Sequence, residues 1–233
     1  LEEALRHYYQ FLSKPDLKWL KVASVPLRHL AGLFFIVLFV ELIVAGLLFN
    51  LIGLEESDHK LTDLFDELDF FRIFVLAVII APVFEELLFR YYLTLPLLVV
   101  IGLPIAGLGG ALYFIISGGM EILVGIPCVI LLVALIIHVL NSEASRSQLQ
   151  SLYIRYFPFV FYMSAVIFAF VHIYNFNDDM VWYHAPALVF PQFFIGLYLA
   201  YVRIRNGILT SMAVHAVNNA IPMVILLLTP GTG

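Results

Sequence analysis

Hydrophobic residues run in long blocks along this chain, unlike the strict alternation of a half-buried strand or the spaced stripe of a soluble amphipathic helix. Seven blocks stand out, at residues 31–54, 71–93, 97–116, 122–140, 153–173, 185–202 and 208–228. Each is close to the ~20 residues that carry a helix across the hydrocarbon of a bilayer. The pattern predicts an all-α fold, a polytopic bundle of about seven transmembrane helices over residues 31–229. Polar breaks separate most of the blocks: an acidic loop at 55–70, Gly118-Gly119, a polar stretch at 141–151, a loop at 175–179 and a turn at 203–207. The boundary near Pro96 or Pro104 is the least marked, because no strongly polar residue falls there. Residues 1–30 differ in character. They mix Lys14, Lys18, Lys21 and Arg28 with Tyr8, Tyr9, Phe11, Leu17, Trp19 and Leu20, which predicts a basic interfacial helix in the headgroup region with its rings toward lipid.

Composition agrees with this reading and narrows it. Hydrophobic residues make up 63% of the 233 and charged residues 12%, with a mean hydropathy of +1.01. A soluble domain carries about a quarter charged residues, so polar groups are too few to coat a globule of this size. A formal charge of -5 gives no basic footprint and excludes nucleic acid as a partner. The single cysteine, Cys128, rules out a disulfide framework or a thiolate metal cluster. No signal-peptide pattern opens the chain, and a start at Leu1 without methionine is what a trimmed N-terminus gives.

Cations set the expected orientation. With the N-terminus cytoplasmic, the inner face carries Arg6, Lys14, Lys18, Lys21, Arg28, Arg146, Arg155, Arg203 and Arg205, and the outer face only Lys60 and Arg72. Positively charged loops stay inside, so the chain is expected to be an integral multi-pass membrane protein with a cytoplasmic N-terminus.

An ionisable side chain inside a span costs a few kcal/mol or more, so each needs a partner or a task. The second block holds Glu85, Glu86 and Arg90, the fifth ends at His172, the seventh holds His215, Asn218 and Asn219, and the first holds Glu41. Glu86 and Arg90, four apart, share a helix face and suit an ion pair. Glu85 points about 100° away and lacks that partner. Desolvation makes a carboxylate more basic, as a general base working near pH 7 requires. Pro82 can kink the helix just before the pair. All three charged residues could equally form a buried ionic clasp. His215 and Asn219, also four apart, present an imidazole and a carboxamide on one face. Both can donate to a developing oxyanion, or they can serve as interhelical glue. Glu41 is expected to hydrogen-bond a neighbouring helix. His29, His138 and His184 sit at span ends.

Glu85-Glu86-Leu-Leu-Phe-Arg90, Phe168-Ala-Phe-Val-His172 and His215-Ala-Val-Asn-Asn219 together resemble, in order and in helical setting, the three motifs of the CPBP or Abi family. These are intramembrane glutamate proteases of the CAAX prenyl endopeptidase type. The resemblance covers roughly residues 71–229. It implies that Glu85 and His172 activate a water, that His215 and Asn219 form the oxyanion hole, and that Glu86 and Arg90 hold the site electrostatically. It also implies a helical bundle with a cavity open to the cytosolic side, no cofactor, and a peptide or protein substrate, lipid-modified or not. The spacing departs from many members, because blocks 97–116 and 122–140 lie between the first two motifs. One depth is awkward. Glu85 and His215 fall within about 15 Å of the inner boundary, whereas His172, counted from residue 153, lies nearly 30 Å along its helix. Entry of that helix near Pro158 would leave about 20 Å.

Two other readings use the same residues. Glu86, His172 and His215 could ligate zinc in a membrane hydrolase, although no His-Glu-x-x-His is present. The buried acids and imidazoles could instead form a proton relay in a carrier, or simply bolt together a non-catalytic scaffold.

Overall fold

Lipid offers no hydrogen bonds to a backbone, so a spanning chain must satisfy its peptide groups within each segment or against protein. A computed structural model describes residues 1–53, 68–94, 134, 137–138, 141–176 and 184–228, and every regular element among them is helical. In chain order these are α1 (Glu2–Ser13), a 3-10 turn (Leu17–Lys21), α2 (Leu27–Ile52), α3 (Phe70–Phe74), a π-helical segment (Val75–Ile80), α4 (Ala81–Phe89) and a second 3-10 turn (Tyr91–Thr94). There follow α5 (Glu143–Val171), a third 3-10 turn (His172–Asn175), α6 (Ala185–Asn206) and α7 (Ile208–Leu228). The expected span at 97–116, all of that at 122–140 except residues 134, 137 and 138, Cys128, Lys60 and most of the acidic loop lie outside the described residues. The chain divides into two compact units, residues 1–93 with 158–233, and residues 94–157. In the second, Ser142 caps the start of α5 by accepting from the Ser145 amide at 3.1 Å, and His138 meets the Ser145 hydroxyl at 3.0 Å.

Among the described residues, α2, α5, α6 and α7 are each long and apolar enough to cross a membrane. The expected span at 71–93 is helical apart from a turn at Arg90, and it is not uniform. Its hydrogen-bond register changes from α to π and back, then tightens to 3-10 after Arg90. The residues fit each change: Pro82 has no amide hydrogen to continue the α ladder, and the β-branched run Val78-Ile79-Ile80 precedes it. α5 begins ten residues before its expected boundary, and Pro158 lies within it. The stretch from Pro158 to His172 rises about 21 Å at 1.5 Å per residue.

α6 is the centre of the first unit. From Ile195 to Arg205 every residue is buried, against α2, α7 and the N-terminal segment. α2 by contrast turns Phe35, Phe39, Leu42, Leu47 and Leu51 outward, as a lipid-facing helix would. It ends at Gly53, whose φ of 67° is the left-handed cap that glycine tolerates best.

The N-terminal segment departs from expectation. The rings of Tyr8 and Phe11 face protein and not lipid: Phe11 is fully buried, 5.1 Å edge-on to Phe161 and 5.2 Å from Tyr201, and Tyr8 lies 4.9 Å from Tyr201. Tyr9 and Leu20 stay exposed. Burial pushes the pKa of the Tyr8 phenol up, so it stays neutral at physiological pH. Polar clasps finish the docking. Tyr162 donates its hydroxyl to the Leu12 carbonyl, and Asn206 both accepts from the Val25 amide at 3.2 Å and donates to the Val25 carbonyl at 2.8 Å. Arg205 donates to the Ala23 carbonyl at 2.6 Å and lies over Trp19, and Tyr198 donates to the Leu30 carbonyl at 2.7 Å. Thus Arg205, expected as an ordinary loop cation, is a tie to the segment before α2.

A buried phenylalanine truncated to alanine typically costs about 3–5 kcal/mol. Phe11→Ala should therefore lower stability by about that much in thermal or denaturant unfolding of the detergent-solubilised protein, while Tyr9→Ala, on the exposed side of the same helix, should be near neutral.

Candidate active site

The second-block acids sit at the end of α4, where a helix terminus inside the bundle leaves carbonyls without amide partners. Three side-chain bonds reach the carbonyls there, of which that of Arg90 also accepts from the Leu93 amide at 3.2 Å. Ser164 of α5 donates to the Phe89 carbonyl at 2.6 Å, and Arg203 of α6 donates through Nε to the Arg90 carbonyl at 3.2 Å and through Nη2 to the Tyr91 carbonyl at 3.1 Å. The cation also opposes the negative end of the helix dipole. Arg203 is therefore a buried cap for α4 as well as a member of the cationic end of α6.

One turn earlier, Arg90 Nη1 donates to Glu86 Oε1 at 2.9 Å, and both side chains are inaccessible to solvent. A buried pair of this kind is tolerable only when the remaining lone pairs and protons also find partners. On the Glu86 side they do. Oε1 also lies 3.0 Å from His215 Nδ1, and Oε2 accepts from the Ser211 hydroxyl at 2.5 Å; that hydroxyl is also 3.0 Å from the Leu199 carbonyl. On the Arg90 side, Nε and Nη2 lack hydrogen-bond partners among the described residues, and the guanidinium instead lies 3.7 Å over the Phe168 ring. A cation on an aromatic face recovers part of the lost hydration. Gly196 makes room for this stack: a Cβ there would come within 3.0 Å of the Phe168 ring and 3.5 Å of Arg90 Nη2.

Glu85 faces elsewhere. Its Oε2 is 3.5 Å from His215 Nε2 and 3.8 Å from His172 Nε2, and has no hydrogen-bond partner among the described residues. The two imidazoles arrive from α7 and from the 3-10 turn that follows α5. His172, whose depth along its helix is awkward on sequence grounds, thus lies beside Glu85. Its Nδ1 is 2.7 Å from the Phe168 carbonyl, and its ring packs 4.5 Å from the Phe168 ring. A carbonyl only accepts, so His172 Nδ1 carries a proton, which in a neutral ring leaves the lone pair at Nε2. Likewise Glu86, already holding Arg90, accepts from His215 Nδ1, which turns His215 Nε2 toward Glu85. Side-chain exposure falls from 25% at Glu85 and 15% at His172 to 3% at His215 and zero at Glu86. Among the described residues the accessible members of the cluster are therefore Glu85 and His172, while Glu85 Oε2 itself is buried.

Asn219 lies one turn beyond His215, and its amide donates to the Ala77 carbonyl of the π segment at 2.9 Å. Asn218 meets Asn219 Oδ1 at 3.4 Å. Glu41 is not among these contacts. One of its carboxylate oxygens is buried in α2 without a hydrogen-bond partner among the described residues, so the expected interhelical bond is not seen there.

Glu85, Glu86, Arg90, His172 and His215 thus form one contiguous cluster, with Asn219 fixed to the helix that bears the two acids. Ser164, Arg203 and Gly196 carry no mark of a site in the sequence pattern alone. Ser211 has a usable signal, since it precedes His215 by four residues and so shares its face. The zinc reading needs Glu86 as a ligand, yet that carboxylate is held by a guanidinium. Among the described residues no group of three His, Cys, Asp or Glu side chains has the arrangement of a metal site.

No curated protein and no solved structure matches the chain. The family model for "Type II CAAX prenyl endopeptidase Rce1-like" matches residues 67–221, some two thirds of the chain and a stretch that holds all three motifs. The chain therefore belongs to the Rce1-like type II CAAX prenyl endopeptidase family, a family of membrane proteases.

Proposed function

We propose that this protein is an intramembrane endopeptidase that hydrolyses a peptide bond of a membrane-associated peptide or protein with water activated by Glu85 and His172. The carrying observation is the convergence of two imidazole Nε2 atoms, from two different elements, on one carboxylate oxygen of Glu85. A gap of 3.8 Å between Glu85 Oε2 and His172 Nε2 is too long for a direct hydrogen bond and suits a water held by both. Glu85 takes the water proton as its oxygen attacks the scissile carbonyl, and His172 orients the water through its Nε2 lone pair. The proton then passes from Glu85 to the leaving nitrogen, restoring the carboxylate. His215 Nε2 and the second amide hydrogen of Asn219 supply the oxyanion contacts. A bond from His215 Nε2 to an oxyanion requires a proton there, and with Nδ1 already donating to Glu86 the ring enters the cycle with both nitrogens protonated and keeps both protons through it. The paired Glu86 carboxylate balances it, as a buried acid does for the histidine of a serine protease triad. Glu86, Arg90 and Ser211 thus position and do not react.

We further propose about seven spans, a cytoplasmic N-terminus and an opening toward the cytosol, in keeping with the cation distribution. The family supports a prenylated substrate, although no lipid-binding surface stands out among the described residues.

Cleavage of a reporter peptide by protein reconstituted in liposomes tests the reading. Glu85→Ala and Glu85→Gln should each lower turnover by about 10³-fold or more with an unchanged melting temperature, and full activity in either would defeat the assignment. Activity should survive an excess of a tight-binding chelator; loss on chelation with recovery on adding zinc would restore the metal reading. Ser211→Ala should lower kcat about tenfold with little change in KM, because it removes a bond to the carboxylate that orients His215 and touches no substrate.

A further inference from the structure

The helix that carries Glu85 has a defect in its ladder directly upstream of the acid. The Ala81 amide bonds to the Leu76 carbonyl, an i to i−5 bond of the π kind. The next bond in that series would run from residue 82 to the Ala77 carbonyl, but residue 82 is Pro82 and has no amide hydrogen. An orphaned carbonyl within a bilayer needs an outside donor. Asn219 provides it: its Nδ2 lies 2.9 Å from the Ala77 carbonyl, from a different helix and 142 residues away in the chain. The carboxamide is held the right way round by Asn218, whose own Nδ2 points at Asn219 Oδ1 from 3.4 Å.

We propose that Asn219 is a positioning residue that stands in for the missing amide of Pro82, and so fixes the π register that aims Glu85 at His172 and His215. A π turn inserts one extra residue into an α-helix and rotates everything after it by about 100° relative to an unbroken helix. Glu85 lies only five residues beyond the end of the π segment, so the register there decides which way its carboxylate points. The bond uses one amide hydrogen of Asn219 and leaves the other without a partner among the described residues, so this role coexists with the oxyanion contact. It deepens the proteolytic reading and rests on it for the identity of the reacting acid, whereas the hydrogen-bond claim itself does not.

Four proteins purified in detergent test the proposal: the parent, Asn219→Ala, Pro82→Ala and the double variant, each measured by thermal unfolding and by turnover of a reporter peptide. With Pro82 in place, Asn219→Ala should lower the melting temperature by about 4 °C or more, the cost of an unmet buried carbonyl. With alanine at 82, whose amide can take over Ala77, the same change should cost less than half as much, and the double variant should turn over faster than Asn219→Ala alone. Folding of the double variant where Asn219→Ala fails to fold would support the proposal equally. An equal thermal loss in both backgrounds, or a thermal rescue with no gain in turnover, would overturn it. Asn219→Leu, which keeps the volume and removes the donor, is run in both backgrounds, and failure to fold in every residue-219 variant whatever stands at 82 would also count against it. Should the parent show no Glu85-dependent cleavage, the protease reading falls and the melting arm still decides the hydrogen bond.

Discussion

The Glu86–Arg90 ion pair is the constraint around which the site is built. Two opposite charges sealed from solvent are costly unless the remaining polar atoms are met, and breaking such a pair by removing one partner typically costs about 3–5 kcal/mol. Meeting that demand recruits residues from three other elements: Ser211 and His215 from α7, Phe168 from α5 and the small Gly196 from α6. The pair thus acts as a template. Once Glu86 must hold His215 by Nδ1, the Nε2 of that ring has one direction left, and it is toward Glu85.

That division explains how two adjacent acids differ so much in surroundings. Glu86 is met by Arg90, His215 and Ser211 and has no exposure, whereas Glu85, about 100° further around the helix, keeps a quarter of its side chain accessible and has one buried oxygen without a hydrogen bond among the described residues. The first is spent on architecture. The second keeps part of its side chain accessible while its Oε2, buried, is flanked by two imidazole nitrogens, the setting on which the proposed acid–base role rests.

Much of this is legible in the amino-acid sequence, and the reasons differ by element. The hydropathy pattern places α7 at its observed limits, because an apolar run after Gly207 has no competing signal. It ends α6 too early, at 202, because Arg203 and Arg205 look like loop cations; in the structure they continue the helix and donate to the carbonyls of Arg90, Tyr91 and Ala23. Hydropathy is blind to hydrogen-bond register, so the π segment leaves no trace apart from Pro82, which by itself signals only a kink. The i to i+4 rule brings Glu86 to Arg90, but no local rule shows that His215 reaches from α7 to both acids at once. The N-terminal aromatics mislead in a general way. Rings beside lysines fit a lipid interface and a protein groove equally well, and only the tertiary partners Phe161, Tyr198 and Tyr201 decide between them.

The last turn of α6 has a mechanical meaning. Within four residues it grips the carbonyls closing the glutamate helix through Arg203, and the stretch of chain leading into α2 through Arg205 and Asn206. A pull on the amino-terminal arm would therefore be transmitted along a stiff lever of less than two turns to the end of the helix holding both acids. The arm lies outside the stretch that the family model matches, yet it is bolted to the same girder as the helix bearing Glu85 and Glu86.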